Sequence, residues 1–75
     1  MEKISIIIPA YNEERRIGET LEKNLKFFKN LKKNKILDFE IIAVVNGSRD
    51  KTLDIVKYFS KKNKELKYLN LKRGA

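Results

Sequence analysis

The sequence contains no cysteine and no histidine. Without cysteine there is no disulfide framework and no thiolate zinc site. Without histidine, the commonest metal ligand and the commonest general base are both missing. Any chemistry must rest on carboxylates, tyrosine, lysine or the backbone. Long hydrophobic runs are missing too. The longest, Ile41 to Val45, falls far short of the roughly 20 apolar residues a membrane helix needs. The apolar start, Ile4-Ser5-Ile6-Ile7-Ile8, is too short and too soon closed by Pro9 to read as a signal peptide. The expected location is the cytoplasm, with the membrane face as a second placement. No stretch reads as a linker, an internal repeat or a low-complexity tract.

With 75 residues the chain holds one domain at most. A domain of this size buries only roughly 60% of its unfolded surface and is marginal. Apolar residues make up 41% and charged residues 37%, a mixture that suits a globular chain with a wet surface. The net charge is +8, from 18 basic and 10 acidic residues. Such a field attracts nucleic acid, anionic lipid or phosphorylated small molecules. The plainer reading is a lysine-rich solvated surface. Fourteen of the 18 basic residues are lysines spread over the chain, which favours that reading.

Five segments follow one another. Lys3 to Ile8 is β-branched and reads as a strand ended by Pro9. Asn12 is placed to cap a helix, with Glu13 and Glu14 in its first turn. Ile17, Leu21, Leu25, Phe28 and Leu31 then recur at helical spacing and form one apolar face. Phe39 to Val45 reads as a second strand, broken by Asn46-Gly47-Ser48. Ser48 is placed to cap a second helix lined by Leu53, Val56 and Phe59, with Asp50 in its first turn. Lys67 to Leu71 reads as a third strand. Phe27, Phe28 and Phe59 are expected in the core.

Strand, helix, strand, helix, strand implies an α/β fold with parallel strands and right-handed crossovers. If the strands are laid down in one direction, both helices fall on one face of the sheet. Yet Ile6-Ile7-Ile8 and Ile41-Ile42-Ala43-Val44-Val45 are apolar on both faces, as in strands buried on both sides. The sequence therefore expects a cover for the second face: a missing C-terminal portion or a partner chain, including a second copy.

In open parallel sheets, ligands bind beyond the carboxyl ends of the strands. Three segments are expected at that rim: Pro9 to Glu13, Asn46 to Asp50, and Lys72-Arg73-Gly74. They offer an aromatic ring, amides, carboxylates and basic groups, a set that suits a nucleotide. There is no G-x-G-x-x-G after the first strand and no G-x-x-x-x-G-K-[ST], so neither the dinucleotide fingerprint nor the P-loop is present.

Ser5-Ile6-Ile7-Ile8-Pro9-Ala10-Tyr11-Asn12-Glu13-Glu14 resembles the opening motif of family 2 glycosyltransferases of the GT-A fold. Glu40-Ile41-Ile42-Ala43-Val44-Val45-Asn46-Gly47-Ser48-Arg49-Asp50-Lys51-Thr52 is similar to that family's second motif, at matching spacing. Lys72-Arg73-Gly74-Ala75 is similar to the start of the glycine-bearing loop after its third strand. The resemblance covers nearly the whole chain. It implies the first, nucleotide-binding half of a GT-A domain, of three parallel strands and two helices. It also implies transfer of a sugar from a nucleotide diphosphate donor such as a UDP- or GDP-sugar, and a Mg²⁺ or Mn²⁺ ion. A polyprenyl-phosphate acceptor is one option it allows.

By the same resemblance, Pro9, Ala10 and Tyr11 wrap the nucleobase and Glu13 lies near the nucleotide. Asn46, Gly47 and Ser48 follow the second strand at the ligand, and Lys72 and Gly74 lie in the third loop. Asn46 stands where the family usually has an aspartate, and Val45 where it usually has an acidic residue. The asparagine can still accept and donate to a base edge. Asp50 is expected to cap or orient the second helix rather than touch the donor. The family's metal-holding acidic motif and its base toward the acceptor lie further along such chains, outside these residues. No catalytic residue and no metal ligand is therefore assigned in residues 1–75, taken as a partial domain that is inactive alone.

Plainer roles stand beside these. Tyr11 can pack over the first strand, Asn46-Gly47 can be a tight turn, and the glutamates can serve only the helix dipole. The alternative for the whole chain is a stand-alone nucleotide-binding or dimerisation module without catalysis. A nucleic-acid binder is the weakest reading, because the lysines are scattered and no nucleic-acid motif is present.

Overall fold

Pro9 lies inside the first strand rather than at its end. A computed structural model of the chain describes residues 1–47 and 50–71. In it the elements run β1 (Lys3–Ala10), α1 (Ile17–Lys33), β2 (Asp38–Asn46), α2 (Thr52–Lys62) and β3 (Leu66–Leu71). The sheet has three strands in the order β1-β2-β3, and both pairings are parallel. Among the described residues β1 is therefore an edge strand, where a sheet tolerates a proline without an N–H. That is why β1 runs on through Pro9 to Ala10, which pairs with Val45.

Both helices cover the same face of the sheet. Phe39, Ile41, Ala43 and Val45 of β2 point into them and are fully or almost fully buried. Ile17, Leu21 and Leu25 come from α1, Val56 from α2, and Leu66 from β3. Each large side chain buried here contributes roughly 1.5–3 kcal/mol. The ring of Phe28 packs on Phe39 at 5.6 Å between centroids. Phe27 corrects the sequence expectation: it is 60% exposed, with its ring against the edge of Phe28. Adjacent helical positions point about 100° apart, so only one of the two can face the sheet.

The start of α1 also differs from expectation. The helix begins at Ile17, and Arg16 occupies the capping position without a side-chain bond to the helix's first-turn amides. A turn precedes it, in which the Arg16 and Ile17 amides both donate to Glu13 O, at 2.9 and 2.7 Å. Asn12 has a positive φ of 50°. The local sequence favours an earlier start; in the fold the Glu13 and Glu14 amides bond to side chains of the second half of the chain, Thr52 and Asp50. At its other end Lys35 takes the left-handed conformation, φ 58°, and Ile36 N–H closes on Leu31 O at 2.9 Å, a Schellman-type ending.

The second face of the sheet is open in the described residues. Ile7 is paired with Ile42, and Val44 lies between Pro9 and Leu69. Ile7, Leu69 and Leu71 are 57%, 53% and 46% exposed. Toward the amino ends the same face turns polar: Ser5 donates to the Glu40 carboxylate, and Lys67 Nζ reaches Glu40 Oε1 at 3.2 Å. An all-parallel sheet is ordinarily covered on both faces, so the apolar strip on this one is out of place in water.

Candidate functional site

The carboxyl ends of the strands and the starts of both helices meet at one rim. Parallel pairing forces this: Ala10 pairs with Val45, and Asn46 with Leu71, at the same end of the sheet. Gly47 N–H donates to Leu71 O at 3.0 Å, and Gly47 turns the chain with a φ of 62°. A side chain is strained in that conformation, so glycine suits the position.

The loops after β1 and β2 are fastened to each other. Glu13 N–H donates to Thr52 Oγ1 at 2.7 Å. Glu14 N–H donates to Asp50 Oδ2 at 3.2 Å. The Thr52 hydroxyl in turn donates to Asp50 Oδ1, which also accepts from Thr52 N–H at 3.0 Å. Asp50 thus caps the start of α2 in practice, as the sequence led one to expect. The Thr52 hydroxyl, followed by the Thr52 and Glu14 amides, holds the Asp50 carboxyl below the usual aspartate range. Each of these donors favours the charged form.

The predicted site residues fall as follows. Pro9 is exposed on β1, while the Ala10 side chain is buried and leaves only its backbone at the rim. Tyr11 is 48% exposed, so its ring is available and does not pack away into the core. Asn46 is exposed at the end of β2. The Glu13 carboxylate is gripped by the Arg16 guanidinium through two bonds, at 3.0 and 3.1 Å, a fork geometry that fixes both groups. Ser48, Lys72 and Gly74 lie outside the described residues.

Two clefts flank the Glu13–Arg16 pair. One, of about 320 Å³, is lined by Asn12, Glu13, Glu14, Arg15, Arg16 and Asp50. The other, of about 230 Å³, lies among Ile8, Pro9, Glu13, Arg16, Ile17 and Thr20. A larger hollow over Lys23, Lys26, Phe27 and Lys29 is the open outer surface of α1. No strand end or helix start feeds it, so it is a weaker candidate than its size suggests.

Among the described residues, no three His, Cys, Asp or Glu side chains are grouped to hold a metal ion. The described residues do not fit the divalent ion that the resemblance implies. No described helix is long and apolar enough to cross a membrane.

Thr52 is the residue that reading the sequence for ligand contacts does not single out. It is fully buried, and it is the one buried polar side chain among the described residues. The available signal is spacing: a threonine two residues after an aspartate, where a strand's loop becomes a helix.

Comparison with known proteins agrees with this architecture. The profile of Glycosyl transferase family 2 matches residues 5–75. A dolichyl-phosphate beta-glucosyltransferase of Trichomonas vaginalis, ALG5A, is 37% identical over 68 residues, covering 89% of this chain and 21% of its own length. The dolichyl-phosphate beta-glucosyltransferase of Dictyostelium discoideum is 34% identical over 74 residues, covering 95% of this chain and 23% of its own. An uncharacterised protein of Methanocaldococcus jannaschii is 45% identical over 56 residues, covering 75% of this chain and 19% of its own. The chain thus spans about a fifth of the length of the curated relatives it matches. With the match running through both rim loops and all three strands, the chain belongs to glycosyl transferase family 2.

Proposed function

We propose that residues 1–75 form the nucleotide-binding part of a glycosyltransferase that takes a sugar from a nucleotide diphosphate donor. A polyprenyl phosphate is the proposed acceptor, because dolichyl-phosphate glucosyltransferases are among the relatives. The observation that carries the reading is the joining of the β1 and β2 loops at the carboxyl rim of a parallel sheet. That rim is where open α/β sheets bind ligands.

In this reading the exposed Tyr11 ring offers its face to the base. Asn46 reads a base edge, its side-chain carbonyl accepting and its amide donating. The backbone of Pro9, Ala10 and Gly47 lines the approach. Arg16 keeps the Glu13 carboxylate neutralised, which lowers its repulsion toward a diphosphate. Ser48, Lys72 and Gly74 are proposed contacts from the sequence resemblance alone. A divalent ion would have to be held by groups other than those described, and so would the base that deprotonates the acceptor.

Calorimetric titration with UDP, GDP and CDP, each with and without Mn²⁺, tests this reading. Saturable binding of at least one nucleotide is expected. A folded sample that binds none of the three overturns it.

A further inference from the structure

The segment Tyr11–Asn12 is an arch between two fixed points. On one side Ala10 is locked in the sheet opposite Val45. On the other, the amides of Glu13 and Glu14 are held by Thr52 and Asp50. Only two residues lie between these anchors, and one of them, Asn12, has a left-handed backbone. Thr52 is fully buried and cannot touch a ligand in the rim. Its hydroxyl accepts from Glu13 N–H and donates to Asp50, so it is used in both directions at once.

We infer that Thr52 and Asp50 are positioning residues for the nucleotide: they hold the Tyr11–Asn12 arch in its binding shape from beneath, without contacting the ligand. The inference rests on the nucleotide reading of the rim. Its physical basis is that a loop ordered before the ligand arrives does not lose that freedom on binding. Without the Thr52 hydroxyl, Glu13 N–H loses its 2.7 Å partner, and the end of the arch that follows Asn12 is held less closely, which widens the positions the Tyr11 ring samples. The carboxylate of Asp50 alone does not replace the hydroxyl. It reaches Glu14 N–H at 3.2 Å, while Glu13 N–H is served by Thr52 at 2.7 Å.

The test compares the wild-type chain with Thr52→Val, which keeps the shape and removes the hydroxyl, and Thr52→Ser, which keeps the hydroxyl. Asp50→Ala is the second variant, at a half-buried position outside the core. The probe is whichever of UDP, GDP or CDP binds the wild type most tightly. Amide hydrogen exchange is followed at Glu13 and Glu14 and at the core residues Ala43 and Val45. Thr52→Val and Asp50→Ala are each expected to weaken nucleotide binding by about tenfold or more, a loss of about 1.4 kcal/mol. Thr52→Ser is expected to stay within about threefold of wild type. Exchange is expected to quicken at Glu13 and Glu14 but not at Ala43 and Val45, which separates loosening of the arch from general destabilisation. Wild-type affinity in a folded Thr52→Val, or in Asp50→Ala if Thr52→Val does not fold, overturns the inference. Loss of affinity with equal quickening at Ala43 and Val45 also overturns it. A wild-type chain that binds none of the three nucleotides overturns the nucleotide reading itself, and the inference with it.

Discussion

The amide of Glu13 donates to the hydroxyl of Thr52 at 2.7 Å, across 39 positions of sequence. This bond joins the loop after β1 to the first residue of α2 and makes two distant loops into one rim.

Replacing Thr52 with valine leaves Glu13 N–H without its partner in a part-buried place. Leaving such a donor unsatisfied costs about 1–3 kcal/mol. Urea unfolding of Thr52→Val should show a loss of that size with an unchanged slope. A loss below about 0.5 kcal/mol, the level of an ordinary surface change, would show that water replaces the hydroxyl.

Gly18 lies where α1 meets α2. A Cβ there would meet Phe59 and Ile55 at 3.7 and 3.8 Å, which is ordinary contact. Gly18→Ala therefore gains helix propensity without a clash, and should stabilise the chain by about 0.5–1 kcal/mol. Thermal or urea unfolding checks this. Destabilisation would mean that the helices are packed closer than these distances indicate.

Stability should fall in acid from identifiable carboxylates. The Asp50 carboxyl is held low chiefly by the Thr52 hydroxyl. The Ser5 hydroxyl, then Lys67, does the same for Glu40, and the Phe39 amide, then Lys32, for Asp38. A carboxyl depressed on folding adds stability that is present above its unfolded value and lost as pH falls through its folded value. The unfolded values lie near 3.8 for aspartate and 4.5 for glutamate. The unfolding midpoint should therefore be flat above about pH 5 and decline below about pH 4. Asp50→Asn should flatten part of that decline. An unchanged acid profile in Asp50→Asn would contradict the assignment.

The open sheet face should be the chain's adhesive surface. Ile7 and Leu69 are more than half exposed there, and neither supports the helix-side core. Changing both to serine should reduce binding of a hydrophobic dye and any self-association. It should alter the circular dichroism little. Collapse of the fold would show that this face is already buried in solution.

Much of this was legible in the sequence. Parallel pairing follows from the alternation of apolar segments, and the one-sided placement of both helices follows once the strands lie in sequence order, which the sheet has. So does the meeting of Pro9–Glu13 with Asn46–Asp50. What was not legible depends on tertiary contact. Pro9 reads as a strand terminator until β1 is known to be an edge. Phe27 and Phe28 are equivalent by composition, and only the sheet's position decides which is buried. Asn12 reads as a local cap, yet α1 begins at Ile17, and the Glu13 and Glu14 amides bond to residues 52 and 50. Thr52 sits in a motif yet acts from beneath the site, where reading for ligand contacts does not look.

The central claim is that one rim of this sheet grips a nucleotide. Titrating the ¹⁵N-labelled chain with UDP, GDP and CDP, and mapping the amide shifts, tests it most directly. The largest shifts should fall on the amides of Ala10 to Glu14, Asn46, Gly47 and Asp50 to Thr52. Shifts centred on Lys3, Asp38 and Glu65 at the opposite rim, or no shifts with any of the three, would contradict it.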